Sequence, residues 1–272
     1  MSLSRKIDFA VIFKVKNANP NGDPLNGNRP RTSYEGLGEV SDVCIKRKIR
    51  NRLMEMDKPI FVQSDDSKVD EFTSLRARAE SVLSAAKASN EQKALACKTW
   101  FDVRAFGQVL AFKGKSGKKG EGVSIPIRGP VSVHPAFSVE NVPVSSIQIT
   151  KSVSGEDGNK RGSDTMGMKH RVDEAVYSFF GSMNPQLATN TGFSDEDAQA
   201  IKDVLPKLFE NDASSARPDG SMAVLKVFWW EHKSCNGDYS SAKVHGSLTV
   251  NLDGTYSLDS LPSLEPEEID GF

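Results

Sequence analysis

A chain of 272 residues with 38% hydrophobic side chains and a net charge of −1 has enough apolar material for a folded core, arranged as one elaborated domain or two small ones. No stretch approaches the roughly 20 apolar residues needed to cross a bilayer, and the apolar run near the N-terminus lacks a small-residue cleavage site, so we expect a cytoplasmic protein. The three cysteines are far apart and form no CxxC pair, which argues against a disulfide framework or a zinc site.

Charge is unevenly distributed along the chain. Residues 253–272 hold six acids and no Lys or Arg, and we expect them to form a mobile acidic tail. Residues 1–252 carry 35 basic and 30 acidic side chains, and the first 52 residues alone hold 11 basic and five acidic ones. The positive field is therefore concentrated near the N-terminus, as is typical of a protein that binds a polyanion.

The first predicted elements are a strand and a long loop. Residues 6–16 alternate between apolar and other side chains, which predicts a strand. Residues 17–40 contain three prolines and repeated Asn-Gly pairs, so they predict turns without regular structure. A loop of this length is either disordered or functional.

The helix predicted after this loop concentrates positive charge. Ser41 is its expected N-cap, and apolar side chains recur every four residues behind it. Three of its cations share neighbouring faces where a polyanion could bind: Lys46, Arg47 and Arg50. Lys48 and Arg52 form a separate pair that points elsewhere. A solvated surface helix would carry the same charges, so the run alone leaves both interpretations open.

The rest of the chain predicts three more strands, one more helix and two insertions. Residues 57–98 are polar and have a helical pattern towards their C-terminal end, which predicts a helical lobe. Strand patterns follow at three places: residues 125–139, 170–183 and 222–230. An amphipathic helix capped by Ser194 lies between the last two strands. The Gly-rich, charged segment in residues 144–167 predicts a hairpin-like protrusion.

The order of these elements is strand, helix, strand, strand, helix, strand. It predicts an α+β fold: a ferredoxin-like (RRM-like) βαββαβ domain within residues 1–252, with a helical insertion at 57–98 and a hairpin-like insertion at 144–167. In such a fold both helices cover one face of the sheet and the other face is free. RNA-recognition modules bind RNA on that free face, although the fold alone does not define function.

Patterns for catalytic or cofactor chemistry are weak. The basic loop at residues 114–122 lacks the Lys-Ser/Thr pair of a phosphate-binding loop, and the Asn-rich loop after the first strand lacks the acids of a calcium loop. The four histidines have no metal-binding spacing, so we predict no metal and no cofactor. Asp23 could act on a ribose 2′-hydroxyl or bind a metal, although its Asn-Gly-Asp-Pro context favours a turn residue.

Cations in loops and at element ends fit an interface with nucleic acid better. Phosphate binding needs cations spaced along a groove, and glycines let the backbone approach closely. The predicted RNA contacts lie in the long loop, the basic helix and the ends of later elements: Arg29, Arg31, Lys46, Arg47, Arg50, Arg104, Gln108, Arg128, Gly129, Met166, Lys169 and His170. Met166 could wedge between stacked bases, although methionine is more often packing material. The aromatic strand motif of RNA-recognition modules is missing, so we expect contact that does not depend on base sequence.

Several motifs, in order along the chain, resemble one known family. They are NANPNGDP, SDVCIKRKIRN, WFDVRAFGQVL, IRGPVSV, TMGMKHRV, TGFSDED and the late strand MAVLKVF. Together they resemble the CRISPR-associated Cas-seven family, specifically the backbone subunits of type I-C Cascade, over roughly Ile7 to Phe228. The helical lobe and the acidic tail lie outside the resemblance.

The resemblance implies that the domain is a modified ferredoxin-like palm with helical finger and hairpin-like thumb insertions, the thumb at residues 144–167. It also implies a non-enzymatic scaffold with several copies side by side along a CRISPR guide RNA. Other Cascade subunits and target DNA, bound through the guide, are the implied further partners, and no membrane is involved. RNA contact carries over to the positions that match the family motifs: Arg31, Lys46, Arg50, Arg128, Met166, Lys169 and His170.

Two alternatives stay open. The first is a ribonuclease: related type III backbones cleave target RNA with a loop aspartate, which would make Asp23 catalytic. The second is a monomer that binds RNA nonspecifically.

For the scaffold, we expect that reversing the charges of Lys46 and Arg50 together leaves folding intact and abolishes assembly on guide RNA.

Overall fold

A computed structural model describes residues 1–86, 88–112, 123–151 and 166–272. The predicted basic loop at residues 114–122 and most of the predicted thumb lie outside these ranges. Within them, no helix combines the length and apolar character needed to cross a membrane.

The described chain alternates between strands and helices. The strands are β1 (Ile7–Ala18), β2 (Gly22–Asp23), β3 (Arg29–Pro30), β4 (Leu37–Val40), β5 (Gly107–Phe112), β6 (Val123–Arg128), β7 (Val131–Val133), β8 (Ala136–Asn141), β9 (Val144–Thr150), β10 (Met166–Met183), β11 (Met222–Glu231), β12 (Leu248–Val250), β13 (Tyr256–Leu258) and β14 (Glu267–Asp270). The helices are α1 (Asp42–Glu55), α2 (Leu75–Leu83), α3 (Ser89–Thr99), α4 (Phe101–Phe106), α5 (Pro185–Thr191), α6 (Asp195–Val204) and α7 (Ser241–His245).

One antiparallel sheet organises the fold. Its strand order is β14-β11-β1-β10-β8-β4, and β7 and β9 also pair with β10. β1 lies in the interior of the sheet, and apolar side chains on both of its faces are buried. The almost continuous apolar run of β1 favours such a position. Phe13 of β1 lies opposite Tyr177 of β10, and their rings stack with 5.2 Å between centroids.

Helices α1 and α6 cover one face of this sheet, and their predicted caps are confirmed. The Ser41 hydroxyl accepts the N–H of Cys44 at 3.4 Å, and the predicted apolar stripe of α1 is buried with β1 in the main core. Ser194 and Asp197 form a capping box at the start of α6. Local sequence signals were sufficient here because a cap involves only neighbouring residues.

The second face of the sheet is covered, so the prediction of a free face was wrong. Ala10 and Ile12 of β1 and Phe228 and Trp230 of β11 are buried there beneath residues from α7 to Leu264. Burying apolar surface contributes about 25 cal/mol per Å², which favours a cover over such a face. Binding of RNA across an open sheet face, as in an RNA-recognition module, is therefore blocked in this fold.

The C-terminal residues form an edge strand, which corrects the prediction of a mobile acidic tail. β14 pairs with β11 along the edge of the sheet. Lys202 Nζ donates to Glu267 at 2.6 Å, and Lys226 Nζ donates to Asp270 at 2.5 Å. The prediction rested on the acidic composition of this segment alone, whereas the fold supplies cations and a strand edge that order it.

The single strand predicted at residues 125–139 is divided into three strands. β6 pairs with β5 beside the helical lobe, and β7 and β8 join β10 in the main sheet. The chain changes sheets at Gly129, where a Cβ atom would lie 2.3 Å from the carbonyl oxygen of Ala105. Helix α2 and all but the last residue of α3 lie within residues 57–98, and both helices share a separate small core with Phe61 and Trp100.

Candidate nucleic-acid interface

The loop after β1 is folded and attached to the start of α1. β2 and β3 pair within it, with Gly22 opposite Pro30. Asn21 Oδ1 accepts hydrogen bonds from the backbone N–H and the hydroxyl of Ser41, at 3.0 and 2.8 Å. The loop that carries Arg29 is therefore anchored to the start of α1.

Asp23 caps a turn in this loop, as its sequence context predicted. Its Oδ1 accepts the N–H of Leu25 at 3.1 Å and lies 3.7 Å from Nη2 of Arg31. In the ranges that the structure describes, no three His, Cys, Asp or Glu side chains form a group that could hold a metal ion. The geometry around Asp23 is therefore that of an Asx turn next to a cation.

β9 and the first part of β10 form a two-stranded ribbon with two different faces. The pairing register places Met166, Met168 and His170 on one face, and Gly167 and Lys169 on the other, because side chains alternate along a strand. Both methionines are more than half exposed, at 57% and 54%. This ribbon includes nearly all of the described part of the predicted thumb and extends beyond it along β10, and its exposed apolar side chains indicate a contact surface.

Arg29 connects the loop to this ribbon. Its Nη2 donates to Ser146 Oγ at 3.1 Å, and the same oxygen lies 2.8 Å from Nδ1 of His170. Ser146 and His170 are directly opposite each other in the β9–β10 pair. Two residues that were predicted separately as RNA contacts thus meet at one serine. The sequence carried no signal that distinguished Ser146 from the other serines of the chain.

A second group of predicted contacts surrounds Phe106 at the end of α4. Lys46 Nζ lies 5.9 Å from the centroid of the Phe106 ring, and the guanidinium carbon of Arg50 lies 5.2 Å from it. Lys46 also pairs with Asp42 at 3.0 Å. The Phe106 ring, Lys46 and Arg50 therefore form one local cluster.

Arg128 and Gly129 lie beside this part of α4. Arg128 is exposed and lies opposite Gly107, the residue that follows Phe106. Gly107 has a φ of 79°, which favours glycine, and Gly129 packs directly against the backbone of Gly107. The two glycines bring two backbone segments together next to the exposed guanidinium of Arg128, which has no partner among the described residues.

Arg50 has a structural partner that the sequence did not show. Asp102 is 1% exposed and accepts the Nε–H of Arg50 at 2.8 Å. The same carboxylate accepts the backbone N–H groups of Phe61 and Val62, at 2.7 and 3.1 Å. Asp102 therefore ties α1 to the helical lobe through Arg50.

This contact changes the expectation for charge reversal on α1. Arg50→Glu places a second carboxylate against buried Asp102 and is expected to cost about 3–5 kcal/mol of unfolding free energy. Arg47 is exposed, so Arg47→Glu is expected to change that free energy by less than about 0.5 kcal/mol. Urea unfolding of the two single variants measures the difference. Equal midpoints would contradict the role of Asp102 and restore the expectation that Arg50 can be reversed without affecting folding.

Arg104, one of the predicted RNA contacts, is a paired cation in the structure. Its Nε and Nη2 donate to the two carboxylate oxygens of Asp197, at 2.8 and 2.7 Å. The pair joins α4 to α6 in bidentate geometry. Gln108 is half-buried, and its Nε2 lies 3.4 Å from the carbonyl oxygen of Val109. RNA contact by Arg104 and Gln108 stays a prediction.

Lys48 and Arg52 point away from the other α1 cations, as predicted. Lys48 is buried and pairs with Asp212, and Arg52 pairs with Glu55 at 2.9 Å. Burial lowers the pKa of Lys48, an effect that the attraction of Asp212 opposes. These two cations therefore stabilise contacts within the protein and leave the exposed charge of α1 to Arg47 and its neighbours.

The structure thus defines a mixed α/β protein with a central antiparallel sheet, an exposed ribbon and two groups of cations. A model of the CRISPR-associated protein Cas7 family matches residues 5–267, and the chain therefore belongs to that family. The family that the sequence motifs suggested is confirmed.

Two relatives illustrate the similarity. The CRISPR-associated protein Cas7 of Haloferax volcanii is 24% identical over 289 residues, which cover 96% of this chain and 80% of the relative. A chain in a solved CRISPR RNA-guided surveillance complex, captured before nicking, is 17% identical and superposes with a TM-score of 0.50 over 83% of this chain and 75% of its own length. The structural match supports the same fold.

Proposed function

We propose that this protein is a non-catalytic guide-RNA-binding subunit of a type I-C CRISPR surveillance complex in the cytoplasm. Several copies would assemble along the guide RNA, beside other Cascade subunits, and present the guide for pairing with target DNA. The observation that carries the proposal is the meeting of Arg29 and His170 at Ser146, beside an exposed ribbon, in a member of the Cas7 family. The similarity to a chain of an RNA-guided surveillance complex supports it.

We also propose that the main sheet is a modified ferredoxin-like palm. The strands β11, β1, β10 and β7 are neighbours in that order and pair in antiparallel fashion, as a βαββαβ chain requires. Helices α1 and α6 share one face, as the pattern also requires. The edge strands β14 and β4 and the cover on the second face are additions to this palm.

The chemistry of the interface favours contact with phosphates. Arg29, Arg128 and Arg47 are exposed cations, whereas the sheet face on which RNA-recognition modules stack bases is buried here. A subunit that carries guides of any sequence must hold the backbone and leave the base edges free for pairing. The proposed binding mode is therefore independent of guide sequence.

Salt dependence tests this mode. Fluorescence anisotropy with two guide RNAs of unrelated spacer sequence is expected to give equal affinities, and both are expected to fall steeply as salt increases. Each phosphate contact removed by substitution is expected to lower the slope of log affinity against log salt by about one. An affinity that depends strongly on spacer sequence would contradict the proposal.

The alternative function is a ribonuclease that uses Asp23, as type III backbones use a loop aspartate. The engagement of Asp23 with Leu25 and Arg31 favours the scaffold. Incubation of the RNA-bound protein with complementary RNA and magnesium is expected to leave that RNA intact, both for the unmodified protein and for Asp23→Ala. Periodic cleavage that disappears in Asp23→Ala would establish the enzyme instead.

A further inference from the structure

We propose that Ser146 is a positioning residue that locks the loop after β1 to the ribbon and presents His170 to an acceptor atom of bound RNA. The inference rests on the proposed function. It starts from the chain of two hydrogen bonds that joins Arg29, Ser146 and His170, at 3.1 and 2.8 Å.

The chemistry of the three groups sets the direction of one hydrogen bond and allows the direction proposed for the other. A guanidinium only donates, so Ser146 Oγ is the acceptor for Arg29. The serine hydroxyl still has its own proton, and in the proposed arrangement it donates that proton to Nδ1 of His170, 2.8 Å away. His170 then carries its own proton on Nε2. In the described ranges Nε2 has no hydrogen-bond partner, so it is available to donate to a phosphate or base oxygen.

The alternation of the ribbon explains why Ser146 takes this role and Ser145 does not. Ser145 lies on the opposite face, where its hydroxyl donates to Asp173 at 2.6 Å. Ser146 shares its face with His170 and with the exposed methionines Met166 and Met168. Because an isolated two-stranded ribbon is only marginally stable, a side-chain bond to the body of the protein restricts where that face points.

Binding of guide RNA tests the positioning role. Ser146→Ala is expected to weaken affinity about tenfold, the loss that corresponds to one hydrogen bond to a charged group, with no measurable change in melting temperature. Ser146→Thr keeps the hydroxyl and suits a strand, so it is expected to retain the affinity. Ser145→Ala is the matched control and is expected to bind as the unmodified protein does. An equal loss in both alanine variants, or no loss in Ser146→Ala, would overturn the proposal.

A second measurement needs no RNA. The ¹⁵N chemical shifts of His170 in the free protein are expected to report the Nε2–H tautomer, and Ser146→Ala is expected to shift them towards a mixture of tautomers. Shifts that do not respond to Ser146→Ala would overturn the proposed bridge, even if RNA binding is normal. If the shifts respond and the unmodified protein binds no guide RNA, the bridge stands and the proposed function fails.

Discussion

Reversing the charges of Arg29 and Arg128 together is expected to weaken guide-RNA binding by about 1,000-fold at moderate salt, since each arginine is proposed to donate to a phosphate a charged hydrogen bond of about 2 kcal/mol. The two side chains are exposed and belong to different groups of cations, one beside the ribbon and one beside Phe106. Distant sites contribute additively, so the double variant is expected to show the sum of the single effects. Anisotropy titrations of the two single variants and the double variant measure this directly.

A matched control separates a local contact from a general loss of positive charge. Lys243 is exposed on α7, on the second face of the sheet, and Lys243→Glu makes the same change in net charge for one site. Its affinity for guide RNA is expected to stay within about twofold of the unmodified protein, because exposed charges farther apart than the Debye length are largely screened. If Lys243→Glu weakened binding as much as Arg29→Glu, the interface assigned here would be wrong.

Replacing Asp8 by Ala is expected to cost about 3–5 kcal/mol of unfolding free energy, because it removes one partner of a buried charged network. Asp8 has no exposed surface and receives three cationic or imidazole groups. Lys6 Nζ lies 3.1 Å from Oδ2, His232 Nε2 lies 2.8 Å from the same oxygen, and His245 Nε2 lies 3.4 Å from Oδ1. The network ties β1 to the C-terminal segment that covers the second face. Glu140→Ala, at an exposed carboxylate, is the control and is expected to change stability little.

The same carboxylate makes stability depend on pH. Burial opposes ionisation of Asp8, but the hydrogen bond from His232, the nearby polar groups of His245 and Ser241 and the charge of Lys6 outweigh it and hold the pKa well below its ordinary value. The unfolded chain therefore binds this proton more readily than the native chain does. The stabilisation is complete above about pH 4 and is lost as pH falls towards the native pKa. Urea unfolding between pH 3 and 7 is expected to show this decline in the unmodified protein, with a much weaker one in Asp8→Asn. Parallel curves would contradict it.

Histidines show how far sequence spacing can mislead. The four histidines are scattered along the chain, yet His134, His232 and His245 lie close to Asp8 in the fold. Burial, followed by the neighbouring His245, lowers the pKa of His134. No spacing rule predicts this cluster, because its members come from separate elements that only the sheet brings together.

The covered second face was partly visible in the sequence. Ala10 and Ile12 stand at the alternate positions of β1, where a half-exposed strand would carry polar side chains. Those two apolar residues are a signal for a covered second face, although the alternation of the strand led to the prediction of a free one. The segment that supplies the cover has short elements such as α7 and β12, and no periodicity long enough to reveal its place.

The sequence by itself determined the family, the caps of α1 and α6 and the separation of Lys48 and Arg52 from the other α1 cations. These features depend on neighbouring residues or on motifs read in order. Only the tertiary structure decided which cations are free, because Arg50 meets Asp102 and Arg104 meets Asp197 across long sequence separations. The Coulomb energy of an ion pair depends on the distance between the two charges in space, and that distance is set by the fold. The same fold buries the second face of the sheet and joins Arg29 to His170 through Ser146.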